Sequence, residues 1–181
     1  MNQHDTSFTG NEIDNARKSF LKRDRMRFTK NKTSAYLAYL AILLNVLYFV
    51  SIYSVNVNFY YSISIGASVV YNLLFLLSAF LCSEGVKNYK LSFAAFIIAI
   101  GAMQIARIFY IPLKALNSTY TETVAGVQEP VVHQVMKSGQ FIYVTVLLSL
   151  SAACCIISGI ITIIRENELS THNRELAEKG I

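Results

Sequence analysis

Four apolar runs dominate the chain, at about residues 34–54, 62–83, 91–112 and 139–164, and three of them hold no charged residue. At ~1.5 Å per residue each is long enough to cross a ~30 Å hydrocarbon core. Long uncharged runs set between charged clusters predict membrane helices. The expected fold is therefore an all-α polytopic membrane protein, a four-transmembrane-helix antiparallel bundle with both termini cytoplasmic.

The connections are read from their polar residues. The first, 55–61, is uncharged and mixes Asn56 and Asn58 with Tyr60 and Tyr61, as at a membrane interface. The second, Glu84 to Lys90, is a tight turn with two lysines. Pro112 and Lys114 mark the exit of the third run, and the longest connection follows, to about Glu129. Glu129-Pro130 reads as a helix start with proline at the first position. The fourth helix is then expected to begin outside the membrane and to pass His133 and Lys137 before its span. Residues 165–181 alternate in charge and read as a helical extension or a solvated tail. Residues 1–16 are polar and are expected to fray.

Composition supports the membrane reading. Apolar residues make up 54% of the chain and charged residues 15%, against about 25% charged in soluble domains. Mean hydropathy is +0.42. The charges are segregated: Arg17, Lys18, Lys22, Arg23, Arg25, Arg27, Lys30 and Lys32 precede the first run, and Lys87 and Lys90 fall in the second turn. The first connection has no lysine or arginine, and the third carries only Lys114 and Lys137. Positive charge collects on the cytoplasmic side. This count sets a cytoplasmic N-terminal segment (1–33), a membrane domain (34–164) and a cytoplasmic tail (165–181), with the plasma membrane as the expected location. No short apolar stretch with a cleavage site precedes the first run.

The basic block reads as topogenic charge, or as a short amphipathic helix on anionic lipid headgroups, with Ile13, Ala16, Phe20 and Leu21 near helical spacing. It contains no nucleic-acid-binding motif, and none is assigned. Cys82, Cys154 and Cys155 lie within or at the edge of apolar runs and read as small buried residues. Asn117-Ser118-Thr119 is a glycosylation acceptor only in a eukaryotic secretory setting.

Candidate chemistry centres on Arg107, a permanent charge inside an apolar run. It sits ~25 Å above Lys90 along the helix, so roughly 5 Å below the far boundary of the core. Helical side chains lean toward the N-terminus, here away from that nearer surface, which makes snorkelling awkward. Gln104, Arg107 and Tyr110 follow at i, i+3 and i+6 and form a polar flank that should face protein or water. Three roles stay open for Arg107. It can hold the helices together through loop carbonyls, Glu122 or Glu129; it can meet a partner or a lipid headgroup; or it can bind an anionic ligand.

Asn45 and Asn72 are predicted at similar depth on neighbouring helices, where they can satisfy one another. A solute path would need these two, Gln104, and hydroxyls such as Thr145 and Ser149 to line one cavity. Small residues mark either intramolecular packing or oligomer contacts: Ala95, Ala99, Ala102 and Ala106 on the third helix, and Ser151, Cys155 and Gly159 on the fourth.

His4, His133 and His172 lie in separate extramembrane regions, and no catalytic or metal-binding motif is present. The expected function is thus non-enzymatic, with no cofactor and no metal: an accessory or scaffold subunit of a larger membrane complex. Its partner would be another membrane protein or a second copy. The alternative is a small oligomeric channel or transporter for an anionic or polar solute. Arg107, Gln104, Tyr110, Asn45 and Asn72 are the expected ligand or partner contacts.

Overall fold

The computed structural model describes residues 10–53, 63–122, 131–134 and 136–179. In chain order these form α1 (Gly10–Phe28), α2 (Lys32–Tyr53), α3 (Ile63–Lys87), α4 (Leu91–Tyr110), α5 (Pro112–Leu116), strands β1 (Thr119–Glu122) and β2 (Val131–Gln134), and α6 (Ser138–Glu178). The four predicted apolar runs are α2, α3, α4 and α6. Each of the four is long and apolar enough to cross a membrane. None of the four long helices contains a proline, so each keeps its backbone ladder. Pro112 falls at the first turn of α5, where its missing N–H is harmless.

Three expectations need correction or narrowing. The fourth long helix starts at Ser138, with Lys137 as its N-cap, and His133 lies on β2. The β-branched Val131 and Val132 pair with Glu122 and Thr121 in an antiparallel ladder, a local choice that outweighs the helix-start signal of Glu129-Pro130. Those two residues, like 55–61, lie outside the described residues. Fraying of 10–16 is also replaced by structure, because α1 begins at Gly10. Residues 1–9 are outside the description. Finally, of the two roles open to Ala95, Ala99, Ala102 and Ala106 of α4, packing within the chain is not theirs, because all four are exposed. The buried face is Ala94, Ile97, Ile100, Gly101, Gln104 and Arg107. Two faces of one helix both carried small residues, and the face with the polar side chains is the one enclosed.

The second small stripe does pack. Ser151, Cys155 and Gly159 are buried, and α4 approaches α6 closely along them. A Cβ at Gly159 would lie 2.8 Å from the Ala94 carbonyl oxygen and 2.4 Å from Ile98 Cγ1. One at Gly101 would lie 3.1 Å from the Ala152 carbonyl oxygen. Hydroxyls tie α6 to α2: Ser151 Oγ donates to Ala41 O at 2.9 Å and Ser158 Oγ to Ser34 O at 2.8 Å. Ser34, Ser151 and Ser158 are fully buried, and both bonds keep a buried hydroxyl satisfied.

At 41 residues, α6 is ~61 Å long, about twice the hydrocarbon thickness. Its last turns leave the apolar stretch and carry α1. Met26, His172 and Leu176 are buried there, Phe20 meets the His172 ring edge-on at 4.9 Å, and Arg23 lies 3.8 Å from Glu175. The basic segment and the acidic tail therefore meet each other.

Between α3 and α4 the chain turns in three residues. Lys90 N–H donates to Gly85 O and Tyr89 N–H to Val86 O, the paired bonds of a Schellman cap. That cap needs a left-handed residue, and Tyr89 supplies it with φ 56°, where glycine is usual and another side chain costs ~1–2 kcal/mol. Next to the turn, Gly85 lies directly under the Phe93 ring, so α3 and α4 are in close contact at this end.

The α4–α6 seam gives a stability prediction. Gly159→Ala is expected to cost about 1–3 kcal/mol, because its methyl group meets backbone that cannot retreat. A Cβ at Gly66 meets nothing within 4 Å, so Gly66→Ala should be neutral or stabilising. Thermal unfolding of both variants in mild detergent, read side by side, checks this; equal midpoints would show that the helices separate easily at Gly159.

Candidate functional site: an enclosed arginine

Arg107 is 5% exposed and is held by side chains from α2 and α3. Its Nη1 donates to Asn72 Oδ1 at 2.8 Å and its Nη2 to Ser68 Oγ at 3.2 Å. The Tyr48 and Tyr71 rings each lie 4.6 Å from the guanidinium carbon. A delocalised, weakly hydrated cation suits such a site, and a desolvated cation–π contact contributes about 2 kcal/mol. The sequence reading looked to loop carbonyls, Glu122 or Glu129 for this role. The structure supplies Asn72 and Ser68, one turn apart on α3; Glu129 is outside the described residues.

The predicted asparagine pair is part of the same network. Asn45 Nδ2 donates to Asn72 Oδ1 at 3.4 Å, and Gln104 Nε2 donates to Asn45 Oδ1 at 2.9 Å. Asn72 Nδ2 closes locally on Ser68 O at 2.9 Å. Asn45, Asn72 and Gln104 are at most 2% exposed. Four of the five predicted site residues thus converge. Tyr110, 70% exposed, stays out of the hydrogen-bonded network but lines a cavity that Arg107 lines too. Thr145 and Ser149 stand apart as well, Thr145 half-buried and Ser149 exposed on α6.

Ser68, Tyr48 and Tyr71 went unnamed in the sequence reading. The signal was available for two of them. Ser68 precedes Asn72 by four residues and Tyr48 follows Asn45 by three, so each shares a helix face with a predicted polar residue. Tyr71 had no such mark.

Beside the guanidinium, a cavity of about 360 Å³ opens between the far halves of α3 and α4. Arg107, Ser68 and Tyr71 form its polar wall; Ala67, Met103 and Ala106 are among its apolar lining. The arrangement can carry a fixed positive charge at the base of a lateral, mostly apolar opening. Among the described residues, no group of three or more His, Cys, Asp or Glu side chains converges. No family model matches this chain, and neither a curated protein nor a solved structure matches it.

If Asn72 is the residue that holds the charge, truncations in the network will not be equivalent. Asn72→Leu is expected to cost about 2–3 kcal/mol, the scale of a buried hydrogen bond to a charged group. Gln104→Leu should cost only about 1 kcal/mol, as for neutral pairs between membrane helices. Unfolding in mixed micelles measures both. A double-mutant cycle of Asn72→Leu with Arg107→Leu should show strong coupling, and additivity would contradict the assignment.

Proposed function

We propose that this chain is a non-enzymatic integral membrane protein that acts through contacts, an accessory or scaffold subunit of a larger membrane complex. In this reading the four long helices cross a plasma membrane as an antiparallel bundle, with both ends in the cytoplasm as the lysine and arginine distribution requires.

The alanines of α4 carry the reading. Ala95, Ala99, Ala102 and Ala106 are exposed and fall within about 60° of one another around the helix. Other outward faces are filled by large side chains, such as Val46 and Val50 on α2 and Leu73, Leu77 and Phe80 on α3. Lipid contact alone gives no reason for a row of methyl groups. A second helix does, because small side chains let two backbones approach closely. Ala106 also lines the cavity beside Arg107, which offers a hole to a side chain of that helix. The partner is another membrane protein or a second copy.

One observation favours the transport alternative, the position of Arg107 at a cavity wall. Against it, Asn45, Asn72 and Gln104 are hydrogen-bonded within the network instead of lining an open path.

A double substitution, Ala99→Phe with Ala102→Phe, tests the proposal. The full chain purified in mild detergent from its own membranes is expected to bring down a membrane protein or a second copy. The variant should lose at least roughly tenfold of it, as expected when a packed small-residue contact worth about 1.4 kcal/mol or more is blocked, with its unfolding midpoint unchanged. A lone monomer in both preparations would remove the reading. Anion flux in liposomes, abolished by Arg107→Ala, would favour transport instead.

A further inference from the structure

The other end of the helices carries a second cleft, of different chemistry. It lies between the C-terminal part of α1, the α3–α4 turn and α6, with a volume of about 310 Å³. Lys22, Lys30 and Arg165 line it together with one carboxylate, Glu168. Met26, Ile161 and Ile164 provide an apolar side.

We propose that this cleft seats the phosphate-bearing headgroup of an anionic phospholipid, with the acyl chains lying along Ile161 and Ile164. The inference is independent of the helix partner proposed above. It requires only that the four long apolar helices lie in a bilayer.

Position is the first support. Ile164 is the last residue of the uncharged run in α6, and Arg165 is the first charge after it. The cleft therefore straddles the level where acyl chains give way to headgroups. Charge is the second: three cations against one carboxylate match a phosphate, and basic groups at this depth attract anionic lipid. Preorganisation is the third. Arg165 is partly buried, and its Nη1 bonds Asn31 Oδ1. Asn31 is itself fully buried and fixed on three sides. Its Nδ2 donates to Ser34 Oγ at 2.9 Å and Thr162 Oγ1 at 3.2 Å, and its N–H to Lys87 O at 2.8 Å. The cation is held in place rather than swinging on the surface.

Two further features point to the same occupant. Tyr89, the left-handed residue of the α3–α4 turn, lines the cleft and adds an aromatic residue to its wall. Phe28, next in the chain to Thr29 of the cleft wall, is 81% exposed, and an exposed aromatic ring beside basic residues suits a lipid interface. A free phosphate would need the cations but not the apolar side.

The chain contains no tryptophan, so Ile164→Trp gives a single reporter in the cleft. The full chain is reconstituted in phosphatidylcholine vesicles containing equal mole fractions of either brominated phosphatidylglycerol or brominated phosphatidylcholine. The anionic lipid is expected to quench the reporter in clear preference. Lys22→Gln with Lys30→Gln should cut that preference by roughly fivefold per lysine. Arg17→Gln with Arg25→Gln, which removes the same charge from α1 outside the cleft, should leave it unchanged. Equal quenching by the two lipids, or equal loss in the control pair, overturns the proposal. So does release of the quenching by millimolar inorganic phosphate, which would make free phosphate the occupant. Native mass spectrometry of the wild-type chain with the same lipids must show the same preference without the reporter.

Discussion

A guanidinium enclosed within an apolar helix long enough to cross a membrane is the constraint that organises α2, α3 and α4. Arginine stays protonated at any physiological pH, so it cannot escape the cost of burial by losing its charge. Lipid offers it nothing, and the protein must supply acceptors and ring faces at the right depth. Asn72 and Ser68 supply the acceptors, and Tyr48 and Tyr71 the faces. Once Asn72 Oδ1 is committed to Arg107, Asn45 is bound to the same oxygen and Gln104 to Asn45. Sliding one helix against another by a single turn would break several of these bonds together. Apolar packing between Leu- and Ile-rich helices discriminates weakly among such registers in a bilayer, where lipid tails are equally apolar. The polar cluster fixes what hydrophobicity leaves open.

A different device holds α6. Its contact with α4 depends on the absence of side chains, at Gly101 and Gly159, and its contact with α2 on short hydroxyls bonded to carbonyl oxygens. Close backbone approach gives dispersion contact over a long seam with little side-chain entropy lost. Glycine, serine and alanine suit membrane helices for that reason, whereas in water glycine would weaken a helix interior.

The parts of this architecture legible in the sequence were those fixed by composition over long windows. Four spans, the turn near Lys87, and a polar arginine flank all follow from where charge is and is not. The Asn45–Asn72–Gln104–Arg107 group was also within reach, because polar residues at membrane depth have few places to go. Tyr110 joins the cavity beside Arg107 and not the network, a division that spacing along one helix does not reveal. For the alanines of α4 the sequence leaves packing within the chain and contact outside it both open. Periodicity identifies a face but not which face turns inward, and only the opposite location of Gly101, Gln104 and Arg107 decides it. The β1–β2 ladder was missed because four-residue strands lie below the length at which a pattern separates from noise.

Why the buried residue is an arginine, and not a shorter polar group, follows from the shape of the α3–α4 pair. The two helices touch at their turn, where Gly85 lies under Phe93, and stand apart at their far ends, where the cavity beside Arg107 opens. Asparagine and glutamine suffice between α2 and its neighbours, which are close. Across the wider gap a long side chain with two donors is needed to reach both Asn72 and Ser68. Lysine could span the distance but would present a point charge that neither stacks between two rings nor forks onto two acceptors. Arg107 thus acts as a strut as much as a tie: it joins α4 to α3 while occupying the space that would otherwise let them close. The side chain that joins the two helices at this cavity is also the one bonded to Asn72, so one charge both spans the gap and helps fix the register of the interior.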